Sequence, residues 1–96
     1  MTAGNASGLN DAAAAVLIVS DGSGGAHGLI PLARVISWAS VGVPPERTGL
    51  APQLAIPKAV DRAGRKLRDI GLFEINEAFA TVAVAVPVPS VSTRTT

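Results

Sequence analysis

The chain is 96 residues long, with 48% hydrophobic residues, 16% charged residues and a formal net charge of +1. A chain of this length forms one small domain at most and removes only about two-thirds of its unfolded surface from water. Because the charges balance and are spread along the chain, we expect neither nucleic acid nor an anionic membrane surface as a partner. The charged fraction is below the usual ~25%, which indicates an interior piece of a larger fold.

Cysteine is absent and histidine occurs once. This composition excludes disulfides, thiolate zinc sites, a thiol nucleophile and an all-histidine metal site within these residues, so no metal ligand is predicted. The longest apolar run, residues 12–19, is far shorter than the ~20 residues that span a bilayer, and residues 1–5 carry no basic side chain. We therefore expect a soluble, cytoplasmic protein without a membrane partner.

The first predicted element is a buried strand over residues 13–19, a continuous apolar run that ends in turn-forming residues. Glycines then predict a flexible linker over residues 21–28. Asp21, Ser23 and His27 lie in this linker in an order that faintly resembles a serine-protease nucleophile loop. Closeness in sequence does not make a triad, and a solvated linker histidine is the simpler interpretation.

A second strand is predicted from residue 32 to residue 43, where apolar side chains fall on both parities. Trp38 lies in this stretch and is expected in the core. The strand stops at Pro44 and Pro45, because proline cannot donate a ladder hydrogen bond and restricts the residue before it. A loop is expected to follow.

Helical spacing of apolar residues over residues 56–67 predicts a helix, with Pro57 in its first turn and Gly64 as a left-handed cap. Residues 70–75 form the next predicted strand. The order strand, helix, strand is that of a right-handed parallel crossover. The predicted fold class is therefore α/β.

Three motifs carry most of the functional information: residues 5–11, residues 31–39 and residues 72–80. In the last motif a short predicted strand runs into a predicted helix, with Asn76 at the junction. In this order and spacing the motifs closely resemble the acetyl-CoA acetyltransferase branch of the thiolase family, over residues 2–86. The resemblance implies an incomplete fragment of the thiolase fold, made of a strand, a linker, a strand-helix-strand unit and the start of a helix.

The resemblance also implies how the chain divides. It makes residues 1–20 the end of the N-terminal half, residues 21–28 the linker, residues 29–86 the beginning of the C-terminal half, and residues 87–96 a divergent, disordered tail. After Asn76 the local signals disagree, because residues 82–86 alternate like a strand whereas residues 77–80 favour a helix. The family precedent is a helix, and we expect one here.

In the family, the asparagine that Asn76 matches holds a water, which helps to stabilise the enolate oxygen of the CoA thioester. An amide suits this task because it stays neutral while its donor and acceptor groups orient the water. Glu77 is expected near a helix start, and Phe79 as an apolar wall for the substrate. The alternative is that Asn76 simply caps the helix.

Ser7 matches the family serine that contacts the pantetheine arm of CoA, and Ala3 and Gly4 are expected to let that arm pass close to the backbone. Viewed without the resemblance, residues 5–8 are an ordinary turn. The family uses a CoA thioester as substrate and needs no cofactor. Its complete members assemble as homo-oligomers.

The implied activity is acyl transfer between CoA thioesters. Because the nucleophilic cysteine, the catalytic histidine and the acid-base cysteine of the family have no match in this sequence, we expect no turnover from the 96-residue chain alone. An alternative is a non-catalytic fragment that pairs with a full-length thiolase or with itself through exposed strand edges. A third hypothesis is an unstable translation product without a separate function.

Overall fold

The computed structural model describes residues 1–86. Three helices lie in this part of the chain: α1 (Ser23–Ala26), α2 (Ala51–Arg62) and α3 (Ala80–Ala85). Short 3₁₀ turns cover Ala3–Asn5, Pro45–Leu50 and Leu67–Asp69. Within residues 1–86, no helix is both long enough and apolar enough to cross a membrane. The expected tail, residues 87–96, lies outside the described residues.

Helix α2 ends as the sequence predicts. Gly64 has a φ of 65°, in the left-handed region that glycine adopts without steric cost. Its N–H donates to the carbonyl of Asp61 at 2.8 Å, and the N–H of Arg65 donates to the carbonyl of Val60 at 3.1 Å. This pair of hydrogen bonds is a Schellman motif, which satisfies carbonyls that the last turn leaves without helical partners.

The predicted start of α2 is wrong. The helix begins at Ala51, because the 3₁₀ turn Pro45–Leu50 leads directly into it. Pro52 therefore occupies the first turn, where its missing N–H costs nothing. Pro57 lies inside the helix instead, where it removes one backbone hydrogen bond.

Helix α3 confirms the helical interpretation of residues 80–85 over the alternating strand pattern. It packs against the 3₁₀ turn Pro45–Leu50. Val82 and Val86 are 7% and 6% exposed and form the buried apolar core of the described residues. A Cβ atom added to Gly49 would lie 3.5 Å from a methyl group of Val82, so the turn backbone and the helix are in close contact. The side-chain amide of Gln53 also donates to the carbonyl of Ala85.

The strand-helix-strand arrangement is not confirmed, since the stretches 13–19, 32–43 and 70–75 have no strand assignment. Within residues 1–86 the β pairing is a single antiparallel bridge, between Ala6 and Phe79. A strand needs a neighbouring strand to satisfy its backbone groups, and these stretches have no such neighbour among the described residues. For the same reason Trp38 is 72% exposed rather than in the core.

The segment 37–40 lies along α2 instead of in a sheet. Three hydrogen bonds to carbonyl oxygens join the two: Ser37 Oγ to Ala59 at 2.6 Å, Arg62 Nη1 to Trp38 at 2.9 Å, and Lys58 Nζ to Ser40 at 2.9 Å. All three partners lie in the last part of α2, between residues 58 and 62. The segment is therefore held against this part of the helix.

The glycine-rich residues 21–28 contain α1, a single helical turn. Gly22 and Gly28 flank it with φ values of 89° and 67°. Only glycine takes these left-handed conformations readily, so the two residues set where the turn starts and stops. The predicted role of this stretch as a linker between two halves stays a prediction.

Candidate functional site

The first and last sequence motifs come together in the structure. The backbone N–H of Ser7 donates to the carbonyl of Ala78 at 3.1 Å, beside the bridge between Ala6 and Phe79. These residues are far apart in the sequence, so the contact is a tertiary one. It brings the predicted CoA-contacting stretch against the stretch that contains Asn76.

A local turn precedes Ala6 and Ser7, which form the N-terminal half of this contact. Asn5 accepts a hydrogen bond from the backbone N–H of Thr2 through its side-chain oxygen, at 2.7 Å. Its own N–H donates to the carbonyl of Thr2 at 3.1 Å. The two bonds close the 3₁₀ turn Ala3–Asn5, after which the backbone is extended at Ala6. An extended backbone at this point can pair with Phe79.

A cleft of about 390 Å³ opens beside this contact, lined by Gly4, Asn5, Ala6, Ser7, Glu77 and Ala80. Ser7 is exposed, so its side chain can be reached from the cleft. Of the predicted CoA-binding residues, Ser7 and Gly4 line the cleft. Ala3 lies next to Gly4 in the turn but not in the lining, and Phe79 is half-buried in the bridge.

Asn76 lines a second cleft, of about 400 Å³. Its walls come from the segment after Trp38, from the first turns of α2 and from the residues before Asn76: Ala39, Ser40, Val41, Ala51, Pro52, Ala55, Ile56, Glu74 and Ile75. The side chain of Asn76 is exposed, so its amide is open to a water or a ligand. The predicted site residues are thus divided between two clefts whose linings meet along the chain at Asn76 and Glu77.

Neither Asn76 nor Glu77 caps a helix. Helix α3 begins at Ala80 with Phe79 as its N-cap, and no side chain makes a capping hydrogen bond there. The expectation that Glu77 lies at the helix start is therefore wrong, as is the capping interpretation of Asn76. The reason is the bridge at Phe79, which keeps the backbone extended up to the residue before the helix.

The serine-protease pattern does not assemble in the described residues. The Asp21 carboxylate accepts a hydrogen bond from Arg34 at 3.1 Å. The hydroxyl of Ser23 pairs with that of Ser20. Both groups are thereby occupied away from His27, whose backbone N–H caps α1. The solvated-linker interpretation of this histidine is consistent with its exposure.

Sequence reasoning missed most of the walls of the second cleft. Ala51 and Ala55 lie on one face of α2, because residues four apart in a helix share a face. Two small side chains at this spacing leave room beside the helix. That spacing is the signal in the sequence from which the cleft could have been predicted.

Comparison with known proteins identifies the family. Residues 29–90 match the family model described as thiolase, C-terminal domain. The chain belongs to the thiolase family. This confirms the resemblance carried by the three motifs, and α2 and α3 lie within the residues that match the thiolase C-terminal domain.

Several relatives are about half identical to this chain over most of its length. It is 54% identical to the acetyl-CoA acetyltransferases of Shinella zoogloeoides and Escherichia coli (strain K12), each over 86 residues. It is 51% identical over 86 residues to the 3-ketoacyl-CoA thiolase of Bacillus subtilis (strain 168). Each match covers 90% of this chain but only 22% of the relative. The chain thus spans less than a quarter of the length of these relatives.

Proposed function

We propose that this chain is the part of an acetyl-CoA acetyltransferase that holds a CoA thioester beside Asn76, and that acyl transfer belongs to the complete protein. The observation that carries this proposal is the hydrogen bond from Ser7 to Ala78 at 3.1 Å. It joins the stretch that resembles a CoA-contacting loop to the Asn76 motif. The exposed side chain of Ser7 and the small residue Gly4 leave room for the pantetheine arm along the first cleft.

Asn76 is proposed to hold the water that stabilises a developing enolate oxygen. Its amide is neutral and open to solvent, so it can orient a water through both its donor and its acceptor atoms. One such donor is worth roughly 3 to 4 kcal/mol, whereas enzymes commonly lower barriers by about 8 to 23 kcal/mol. Asn76 therefore supports catalysis but cannot supply it without a nucleophile.

We also propose that the three apolar stretches become strands of an α/β sheet in the complete fold, with α2 as the crossover helix. The three hydrogen bonds that hold segment 37–40 against α2 support this proposal, because a strand packs against the helix that follows it in a βαβ unit. The complete protein is proposed to be a homo-oligomer that uses a CoA thioester as substrate and no cofactor.

Binding of CoA to the 96-residue chain tests the proposed site without requiring turnover. Isothermal titration with CoA should give a measurable affinity that falls about two- to tenfold in Ser7→Ala, the range expected for one lost hydrogen bond. Ser20→Ala is the matched control, because Ser20 is an exposed serine outside both clefts. Equal affinity of the two variants, or no binding of CoA at all, contradicts the proposed site.

The absence of turnover is tested separately. Thiolysis of acetoacetyl-CoA by the purified chain should stay at the buffer rate, because the chain has no cysteine to act as nucleophile. An activity that stays constant per mole of chain through successive purification steps would contradict this expectation.

A second proposal, of a non-catalytic role, is that the chain associates with a full-length thiolase or with itself. The observation that favours it is the exposure of an apolar stretch near the N-terminus, where Val16, Leu17 and Ile18 are 87%, 76% and 81% exposed. Unpaired β-prone segments of this kind associate readily. Co-purification with a full-length thiolase, or self-association, at a fixed stoichiometry supports this role, and a heterogeneous aggregate contradicts it.

A further inference from the structure

The contact between α2 and the segment 38–40 suggests a role for two basic side chains that the proposed reaction does not use. Arg62 donates to the carbonyl of Trp38 at 2.9 Å, and its guanidinium carbon lies 5.7 Å from the centre of the Trp38 ring. Lys58, one helical turn earlier, donates to the carbonyl of Ser40 at 2.9 Å. Two cations on one face of α2 therefore each donate to a carbonyl of the segment 38–40.

These contacts lie at the edge of the second cleft. Ala39, Ser40, Val41 and Asn76 all line this cleft. Trp38 is 72% exposed, and the hydrogen bonds of Lys58, Arg62 and Ser37 attach this segment to the helix. A change at Lys58 or Arg62 is thus expected to move the wall rather than the core at Val82 and Val86.

We propose that Lys58 and Arg62 are positioning residues that clamp residues 38–40 onto α2 and so set the width of the cleft that Asn76 lines. The inference rests on the proposed function only for the chemical meaning of Asn76, since the clamp itself is a statement about geometry. Arg62 contributes in two ways, through its hydrogen bond and through its cation–π contact with Trp38. Lys58 contributes one hydrogen bond.

The width of the cleft can be measured because the chain has no cysteine. Nitroxide labels on Ser40→Cys and Glu74→Cys, both exposed residues of the cleft lining, report the distance across it by electron paramagnetic resonance. The chain with these two labels should give one narrow distance distribution. Arg62→Met should lower the ratio of closed to open clefts by at least about two- to fivefold, the size of an exposed cation–π contact alone.

Three further variants separate the clamp from a general loss of charge. Lys58→Met should broaden the distribution of distances between the two labels, as Arg62→Met does. Arg62→Lys, which keeps a donor but loses the planar guanidinium, should fall between Arg62→Met and the unsubstituted chain. Arg68→Met removes a cation that lies 4.0 Å from Asp69, outside the clamp, and should change nothing.

Tryptophan fluorescence gives an independent reading, because Trp38 is the single tryptophan. Quenching by acrylamide should increase in Arg62→Met and not in Arg68→Met, while the far-ultraviolet circular dichroism of both stays that of the parent chain. A broad distance distribution in the doubly labelled chain without a further substitution overturns the clamp, as do equal effects of Arg62→Met and Arg68→Met. A clamp that behaves as expected in a chain that binds no CoA supports this inference and contradicts the proposed function alone.

Discussion

The part of the chain after Pro44 and the part before it differ in how their backbone N–H and C=O groups find hydrogen-bond partners. After Pro44, α2 and α3 bond internally and meet at the 3₁₀ turn Pro45–Leu50, where Val82 becomes buried. Before it, most residues have no helical or strand assignment, and apolar side chains such as Leu32 are fully exposed. A helix needs no neighbour for its hydrogen bonds, whereas a strand does. The described residues after Pro44 therefore satisfy more of their backbone groups among themselves than those before it.

The largest effect is expected from Pro57, which lies inside the better-formed part. Pro57→Ala should restore a helical hydrogen bond and stabilise α2 by up to ~3 kcal/mol. Pro52→Ala is the matched control, because a first-turn proline costs the helix nothing. Circular dichroism during urea unfolding should show the gain for Pro57 alone. Equal gains from both variants would place Pro57 outside the helix interior.

The packing of α3 predicts the next effect. Val82→Ala removes two buried carbon atoms and should lower the free energy of unfolding by ~1.6 kcal/mol, at ~0.8 kcal/mol for each. Val84 lies on the same helix but is 86% exposed, so Val84→Ala should have almost no effect. If chemical denaturation gives the same midpoint for both variants, α3 does not pack on the 3₁₀ turn.

The cap of α2 predicts a similar or slightly smaller loss. Gly64→Ala forces a side chain into a left-handed conformation and should cost ~1–2 kcal/mol. Gly71→Ala provides the comparison, because Gly71 has no positive φ and a Cβ there meets nothing within 4 Å. Thermal unfolding should separate the two. If Gly64→Ala leaves the thermal unfolding temperature unchanged, the Schellman motif is not maintained in solution.

The first part of the chain should respond least. Ile18 is 81% exposed, so Ile18→Ser should change the free energy of unfolding by ~0.5 kcal/mol or less. The same variant should weaken self-association, measured by sedimentation velocity, if exposed β-prone residues drive it. Loss of folding in Ile18→Ser would show that this stretch is packed, which would contradict the difference between the two parts of the chain.

The features that the sequence predicts correctly are those that depend on residues close together in the chain. The left-handed cap at Gly64 needed only glycine conformation and is confirmed, and the helix that family precedent predicts after Asn76 is confirmed from Ala80 onward. The strands and the buried Trp38 depended on neighbours that the described residues do not supply, so alternation and apolar content could not establish them. The sequence predicts a late start of α2 because Pro57 fits a first turn, whereas Pro52 gives the same signal at the observed start.

The site was predicted only in part for a related reason. Motif order identified the family and singled out Ser7 and Asn76, whose roles stay predictions. Sequence spacing does not tell which residues share a cleft, and the structure divides these two between separate clefts. The hydrogen bond from Ser7 to Ala78, beside the bridge between Ala6 and Phe79, shows that the two motifs meet.

That contact is the central claim, and nuclear Overhauser effects in the isotope-labelled chain test it most directly. The amide proton of Ser7 should show cross-peaks to protons of Ala78 and Phe79, because its nitrogen lies 3.1 Å from the Ala78 oxygen. Cross-peaks from Ser7 to its sequence neighbours alone would contradict the meeting of the two motifs, and with it the proposed CoA site.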